Sequence, residues 1–172
     1  MLIAGGILSL ALAVVASFFL FSLRSGAGLG NYALLDQANR EAMDRMTSEI
    51  RQAKEITSFS TNPPSITILN GADETITYMF LPDQHQMVRN ASDGDRRILL
   101  ENCSLLQFSM FQRNPSNATF GVFPVASNSW RETGKMIQLT WKTAITNSPY
   151  PNINSENVQT ARIVIRKQRN DS

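Results

Sequence analysis

The chain holds one cysteine, Cys103, and one histidine, His85, among its 172 residues. A single cysteine excludes any intrachain disulfide. It reads as a small buried hydrophobe, with an intermolecular pair or a reactive thiol as the alternatives. One histidine and one cysteine also leave almost no raw material for a metal-ligand cluster or for Ser/His or Cys/His catalysis. Charge of one sign is not in excess, with 16 basic against 14 acidic residues, so no dense basic stripe is available for phosphates and no nucleic-acid partner is expected. The patterns G-x-x-x-x-G-K-S/T, H-E-x-x-H and G-x-S-x-G do not occur. Neither an enzyme nor a cofactor is expected.

Charge is missing altogether from the first 23 residues, and that absence organises the rest. Met1 to Leu23 is mostly Leu, Ile, Ala, Val and Phe. As a helix it would span roughly 35 Å, enough to cross a hydrocarbon core. A cleaved secretory signal would carry a basic leader and an apolar run of about 7–15 residues, and neither is present. A plain single-pass anchor fits the length. A third reading uses the small residues: Gly5, Ser9, Ala13 and Ser17 recur every fourth position along one helix face, the spacing that lets membrane helices approach closely.

Gly26, Gly28 and Gly30 follow, each costing roughly 1 kcal/mol relative to Ala inside a helix. They form either a loop or a softened, mostly helical joint that can bend; the joint is preferred. From Tyr32 to about Glu55 the apolar period becomes helical. Leu35, Ala38, Ala42, Met46, Ile50 and Ala53 fall on one side, with Glu49 the one intruder, and this narrow alanine-rich stripe suits packing on a sheet. Asp36 with Arg40 and Glu41 with Arg45 have the acid-first i,i+4 spacing of a solvated face. Asn62-Pro63-Pro64 excludes a helix continuing beyond about residue 57.

The remainder alternates at period two. Strands are predicted at Ser65–Leu69 and Thr75–Leu81 about an Asn70-Gly71 turn, and at Gln86–Arg89 and Arg97–Leu100 about Ser92-Asp93-Gly94-Asp95. Further strands run through Leu106, Phe108 and Met110, through Ile137 to Ile145, and over Val158–Lys167 with Ala161, Ile163 and Ile165 inward. Successive hairpins favour one antiparallel sheet with a face for the helix. Asp93-Gly94-Asp95 offers too few oxygens for calcium and reads as turn chemistry. Residues 112–134 and 147–157 read as long loops, either functional or surface decoration. Asn90-Ala91-Ser92, Asn102-Cys103-Ser104 and Asn117-Ala118-Thr119 match the N-glycosylation triplet, which matters only in a eukaryotic secretory setting. The expected organisation is α+β: residues 1–30 a transmembrane helix and glycine joint, 31–57 the amphipathic half of one stalk helix, and 58–172 a β-rich head.

The stalk resembles a known family. Ile3 to Ser22, followed by Ala42-Met43-Asp44-Arg45-Met46 and Ser48-Glu49-Ile50-Arg51-Gln52-Ala53, is similar to the N-terminal helix of type IV pilin-like proteins, nearest the J-type minor pseudopilins and PilW-like minor pilins. In the head, Thr77-Tyr78-Met79-Phe80-Leu81, Leu99 to Phe108 and the closing Arg162-Ile163-Val164-Ile165-Arg166 resemble that subgroup's strands. The resemblance implies a pilin-like fold and a structural subunit of a type II secretion pseudopilus or a type IV pilus. It implies a bacterial inner-membrane, single-pass protein with a periplasmic or extracellular head, whose partners are membrane lipid and other pilin-like subunits. Gly5, Ser9, Ala13 and Ser17 would then be the helix–helix assembly face and Gly26, Gly28 and Gly30 the flexible joint. The family's processing site, Gly followed by Phe-Thr-Leu-x-Glu, is absent. Positive charge usually flanks the cytoplasmic end of a span, yet Arg24 lies at the outer end. Both observations lead to the expectation that the natural chain begins earlier, with a basic leader. The alternative function is a membrane-anchored extracytoplasmic ligand-binding domain acting alone, for which a deep apolar pocket in the head would speak.

Overall fold

A computed structural model of the chain describes residues 2–112, 114, 116, 122–125, 129–145 and 155–165. The first element, α1, is a continuous helix over Leu2–Gln52. At 1.5 Å per residue its 51 residues extend about 77 Å. It runs unbroken through Gly26, Gly28 and Gly30, so the joint is helical rather than a loop. The helix stops at Gln52, five residues before the expected limit of 57, and Ala53 closes it by donating its N–H to the Ile50 carbonyl at 3.3 Å. Ala53 is therefore buried just beyond the helix and not on it.

Among the described residues nine strands follow: β1 (Glu55–Thr61), β2 (Pro64–Leu69), β3 (Thr75–Leu81), β4 (Gln86–Ala91), β5 (Arg96–Leu100), β6 (Cys103–Gln112), β7 (Phe123–Pro124), β8 (Met136–Ile145) and β9 (Ser155–Val164). A one-turn helix, α2 (Trp130–Thr133), precedes β8. The strands make two antiparallel sheets, in the orders β1-β2-β3-β4-β5 and β7-β6-β8-β9, where one sheet was expected. The first is a meander, each strand pairing with its successor. Loops at both ends hold this register. Asn70 Oδ1 accepts from the Ala72 and Glu74 N–H groups, and Asp73, not Gly71, takes the left-handed conformation, at φ 65°. Gly94 stands at φ 91° in the next turn, a conformation that favours glycine, and Asp93 Oδ1 there accepts from the Asp95 N–H. Asp93-Gly94-Asp95 is turn chemistry, as its composition indicates.

Residues 55–57 belong to β1 and residues 155–157 to β9, so the helical stalk and the second long loop are both shorter than their sequence limits. Residue 112 likewise lies in β6, and β7 and α2 occupy part of 112–134. Residues 146–154, the Asn117 triplet and positions 166–167 of the last predicted strand lie outside the described residues.

The core gathers the inner faces of both sheets beneath the last third of α1. Ile66, Ile68, Tyr78 and Met87 come from the first sheet, Phe108, Leu139, Trp141 and Ile163 from the second, and Ala42, Met46 and Ile50 from the helix. Five of the six residues expected at the helix–sheet contact are buried: Leu35, Ala42, Met46, Ile50 and Ala53. Ala38 is half-buried and packs against the same cluster. The helix touches β9, β8 and β5, and so spans both sheets. Ile50→Ala should lower stability by about 2–5 kcal/mol, read as a drop in the urea midpoint without a change in slope. Asn31–Ser172, which retains every buried helical residue, should unfold cooperatively as a monomer; an aggregated or unfolded product would show that the head depends on the preceding segment.

Candidate functional site: the projecting helix and its seat

The helix divides sharply between two environments. Leu35 is 5% exposed, and its neighbour Leu34 is 65% exposed. N-terminal to that point the described large apolar side chains, from Ile3 through Phe18 and Phe21 to Leu29, lie open. About 50 Å of helix thus stands clear of the head. It is long and apolar enough to cross a membrane. Apolar surface of this extent on a soluble monomer would be a liability.

On this segment Gly5, Ser9, Ala13 and Ser17 are all exposed. A side chain added at Gly5 would meet nothing. Ser9 Oγ donates to the Gly6 carbonyl at 2.9 Å, and Ser17 Oγ donates to the Ala13 carbonyl at 2.8 Å. Both hydroxyls are thereby folded back on their own helix and need no water, which suits an apolar medium. The face they leave is shallow and without projecting polar groups. Gly26 and Gly30 are equally open, with no neighbour to restrain them.

The seat of the helix is made by two polar side chains within the apolar stripe. Asn39 is fully buried; its amide Nδ2 donates to Thr143 Oγ1 at 2.9 Å, and its Oδ1 accepts from Trp141 Nε1 at 2.7 Å. Both partners lie on β8, so Asn39 fastens the helix to the second sheet. Ten residues on, Glu49 reaches the first sheet. Tyr78 donates its hydroxyl to Glu49 Oε2, and Arg89 Nε donates to both carboxylate oxygens, at 3.1 and 3.0 Å. Arg89 also holds Asp95 at 3.1 Å, which in turn pairs with Arg97 at 2.9 Å. At 100° per residue Asn39 and Glu49 point about 80° apart, one toward each sheet.

Charge is organised around this second seat. Burial, reinforced by the hydrogen bond and charge of Glu49, pushes the Tyr78 phenol far above its ordinary range. Burial works against the Arg89 cation, but the hydrogen bond to Glu49 and the neighbouring negative charge outweigh it and raise its pKa. The hydrogen bond from Arg97 holds Asp95 below the usual carboxylate range against some desolvation, helped by the charges of Arg97, Arg89 and Arg45. Burial pushes the Cys103 thiol up to about 11, which fits an unreactive core position.

Glu49 stood out in the sequence only as a break in the stripe. Asn39, four residues from Leu35 and three from Ala42, carried the same signal and was missed. Among the described residues no three His, Cys, Asp or Glu side chains converge as metal ligands. The head does contain a cleft of about 600 Å³, open to solvent and walled by Phe59, Met110, Val125 and Trp130. The sequence matches no protein-family model, and no curated protein matches it significantly.

Two pH effects follow for folding. Asp95 has a lowered folded pKa, so its contribution is present above the unfolded value and is lost as pH falls through the folded one. Tyr78 has a raised folded pKa, so its contribution is complete below about pH 10 and declines above that as the unfolded phenol ionises. Urea midpoints measured from pH 2 to 11 should fall at both ends. Asp95→Asn should reduce the acid limb and leave the alkaline one, and Tyr78→Phe should reduce the alkaline limb only in part, because the raised Cys103 thiol contributes to the same limb.

Proposed function

We propose that the chain is a pilin-like structural subunit, a minor pilin or minor pseudopilin serving a type IV pilus or a type II secretion pseudopilus. In this reading it sits in the bacterial inner membrane by its N-terminal helix and carries its head in the periplasm or outside the cell. It has no catalytic role. The observation that carries the reading is the division of one unbroken helix, whose N-terminal part is bare while its C-terminal part is the spine of the head. A free-standing binding domain needs an anchor. It does not need that anchor to run on, as one unbroken helix, into its own core. Helical continuity is useful where the position of the head must follow the position of the helix, as in a helically packed fibre.

The resemblance of the stalk and of several head strands to minor pseudopilins and PilW-like pilins supports the same reading. The small-residue face supplies a place where neighbouring helices can meet. The second reading, a membrane-anchored ligand-binding domain acting alone, is favoured by the cleft beside Trp130, whose size lies within the range of ligand pockets.

Ser9→Leu combined with Ala13→Leu in the full-length protein tests the first reading. The exchange makes the segment more apolar, so membrane fractionation should remain normal. Leucine side chains hold helix backbones apart, so crosslinks to pilin-like partners should be lost. A double variant that crosslinks and supports secretion or piliation like the parent would refute assembly through this face.

A further inference from the structure

Asparagine followed by glycine occurs once in the chain, at Asn70-Gly71 in the loop between β2 and β3. The main-chain nitrogen after an asparagine can close a five-membered ring on the asparagine side-chain carbonyl carbon, and a glycine there leaves that nitrogen unshielded. Gly71 is exposed, and a side chain added to it would meet nothing. Its N–H has no hydrogen-bond partner among the described residues.

The fold arranges Asn70 for this ring closure. Oδ1 accepts from the Ala72 N–H at 2.8 Å and from the Glu74 N–H at 2.9 Å. The first of these bonds is the side-chain imitation of a β-turn, and it folds the amide carbon alongside the Gly71 nitrogen that it spans. Two main-chain N–H groups on one carbonyl oxygen also stabilise the negative charge that develops there when the carbon is attacked. Nδ2 donates to Glu74 Oε2 at 2.8 Å, so the nitrogen that would leave rests on a carboxylate. The loop is held from outside as well. The Asn70 N–H donates to the Glu74 carbonyl at 2.9 Å, and Lys54 Nζ pairs with Asp73 at 2.6 Å. The reacting groups are kept together by the fold, where an unfolded chain would bring them together only in passing.

We propose that Asn70 is a self-modifying site, converted to aspartate and isoaspartate by the Gly71 main-chain nitrogen with the surrounding loop as catalyst. The Gly71 nitrogen forms a bond to Asn70 Cγ, and Oδ1 takes the negative charge between the Ala72 and Glu74 N–H groups. Collapse of this intermediate breaks the bond from Cγ to Nδ2. Nδ2 leaves as ammonia, carrying the proton that the Gly71 nitrogen gives up, and the Glu74 carboxylate passes it across. The cyclic imide then adds one water and opens at either carbonyl. No oxidant, reductant or cofactor takes part.

The loop that promotes the reaction does not accommodate its product. Where Nδ2 donated to Glu74, aspartate sets a second carboxylate oxygen against the first, with no hydrogen between them. Isoaspartate also routes the main chain through the former side chain, next to the Leu69–Thr75 pair that ends the β2–β3 ladder. Conversion therefore loosens this hairpin at the loop that Lys54 ties to the end of α1. The site lies in the head and does not depend on assembly through the stalk.

The test follows the full chain in lipid nanodiscs at neutral pH, with ammonia loss at Asn70 located by peptide mass spectrometry and isoaspartate scored by its methyltransferase. Asn70 should convert at least about tenfold faster in the folded chain than in the same chain unfolded in guanidinium chloride. Glu74→Gln keeps an acceptor for Nδ2 but cannot pass a proton. It should slow conversion about tenfold in the folded chain and not at all in the unfolded one. Hydrogen exchange at the Ala72 amide shows that the loop persists in this variant, and the same amide should exchange faster in Asn70→Asp. The proposal is overturned if Asn70 stays intact, if it converts no faster folded than unfolded, or if Glu74→Gln with a protected Ala72 amide converts at the parent rate. A normal rate in Ser9→Leu with Ala13→Leu separates this site from helix assembly.

Discussion

A carboxylate drawn against the inner face of a sheet is costly unless its charge is answered, and the placement of the whole helix turns on how Glu49 is answered. Arg89 meets it with a charged hydrogen bond and Tyr78 with a neutral one, both from the first sheet. Arg89 is in turn balanced by Asp95, so the cation is not over-committed to a single partner. The arrangement is directional in a way that Met46 and Ile50 are not. Apolar side chains would tolerate the helix sliding or rolling on the sheets, whereas the carboxylate has one set of partners.

Asn39 applies the same logic to the second sheet. Its amide has a donor and an acceptor, and Thr143 and Trp141 use one each, so an inverted amide would face donor to donor at the indole. Together the two residues set the rotation of the helix about its axis and its register along it. Among the described residues the two sheets share no strand and pair through no ladder. Their common core and the helix bridging them are what make one head out of two sheets.

The long helix, its buried stripe and the hairpins of the first sheet were legible because their signals are periodic and local. Leu35 to Ile50 repeat at helical spacing, and Ile66, Ile68, Ile76, Tyr78 and Phe80 alternate. β1 was not legible because its ladder with β2 contains a register shift between Ile56 and Ser58, which breaks the alternation. β7 and α2 are too short to show a period, and they hold their places through contacts with β6 and with the Thr57 carbonyl. Partition into two sheets depends on which strands fail to pair, and hairpin signals carry no such information. The seat was half visible. A polar residue in an apolar stripe can be seen in the sequence, but Tyr78 and Arg89, 29 and 40 positions away from Glu49, cannot be matched to it without the fold.

The unbroken helix also determines how the head would respond to force. A pull on the N-terminal segment travels along the helix axis and reaches the head at Leu35 first, with the Asn39 and Glu49 contacts lying behind it. Because the buried stripe runs parallel to that axis, these contacts are loaded in shear and share the load, instead of opening one after another as they would if the helix were peeled away. The load is divided between the two sheets, since each holds one of the polar contacts. The head is therefore built to be carried by its helix as well as tethered by it.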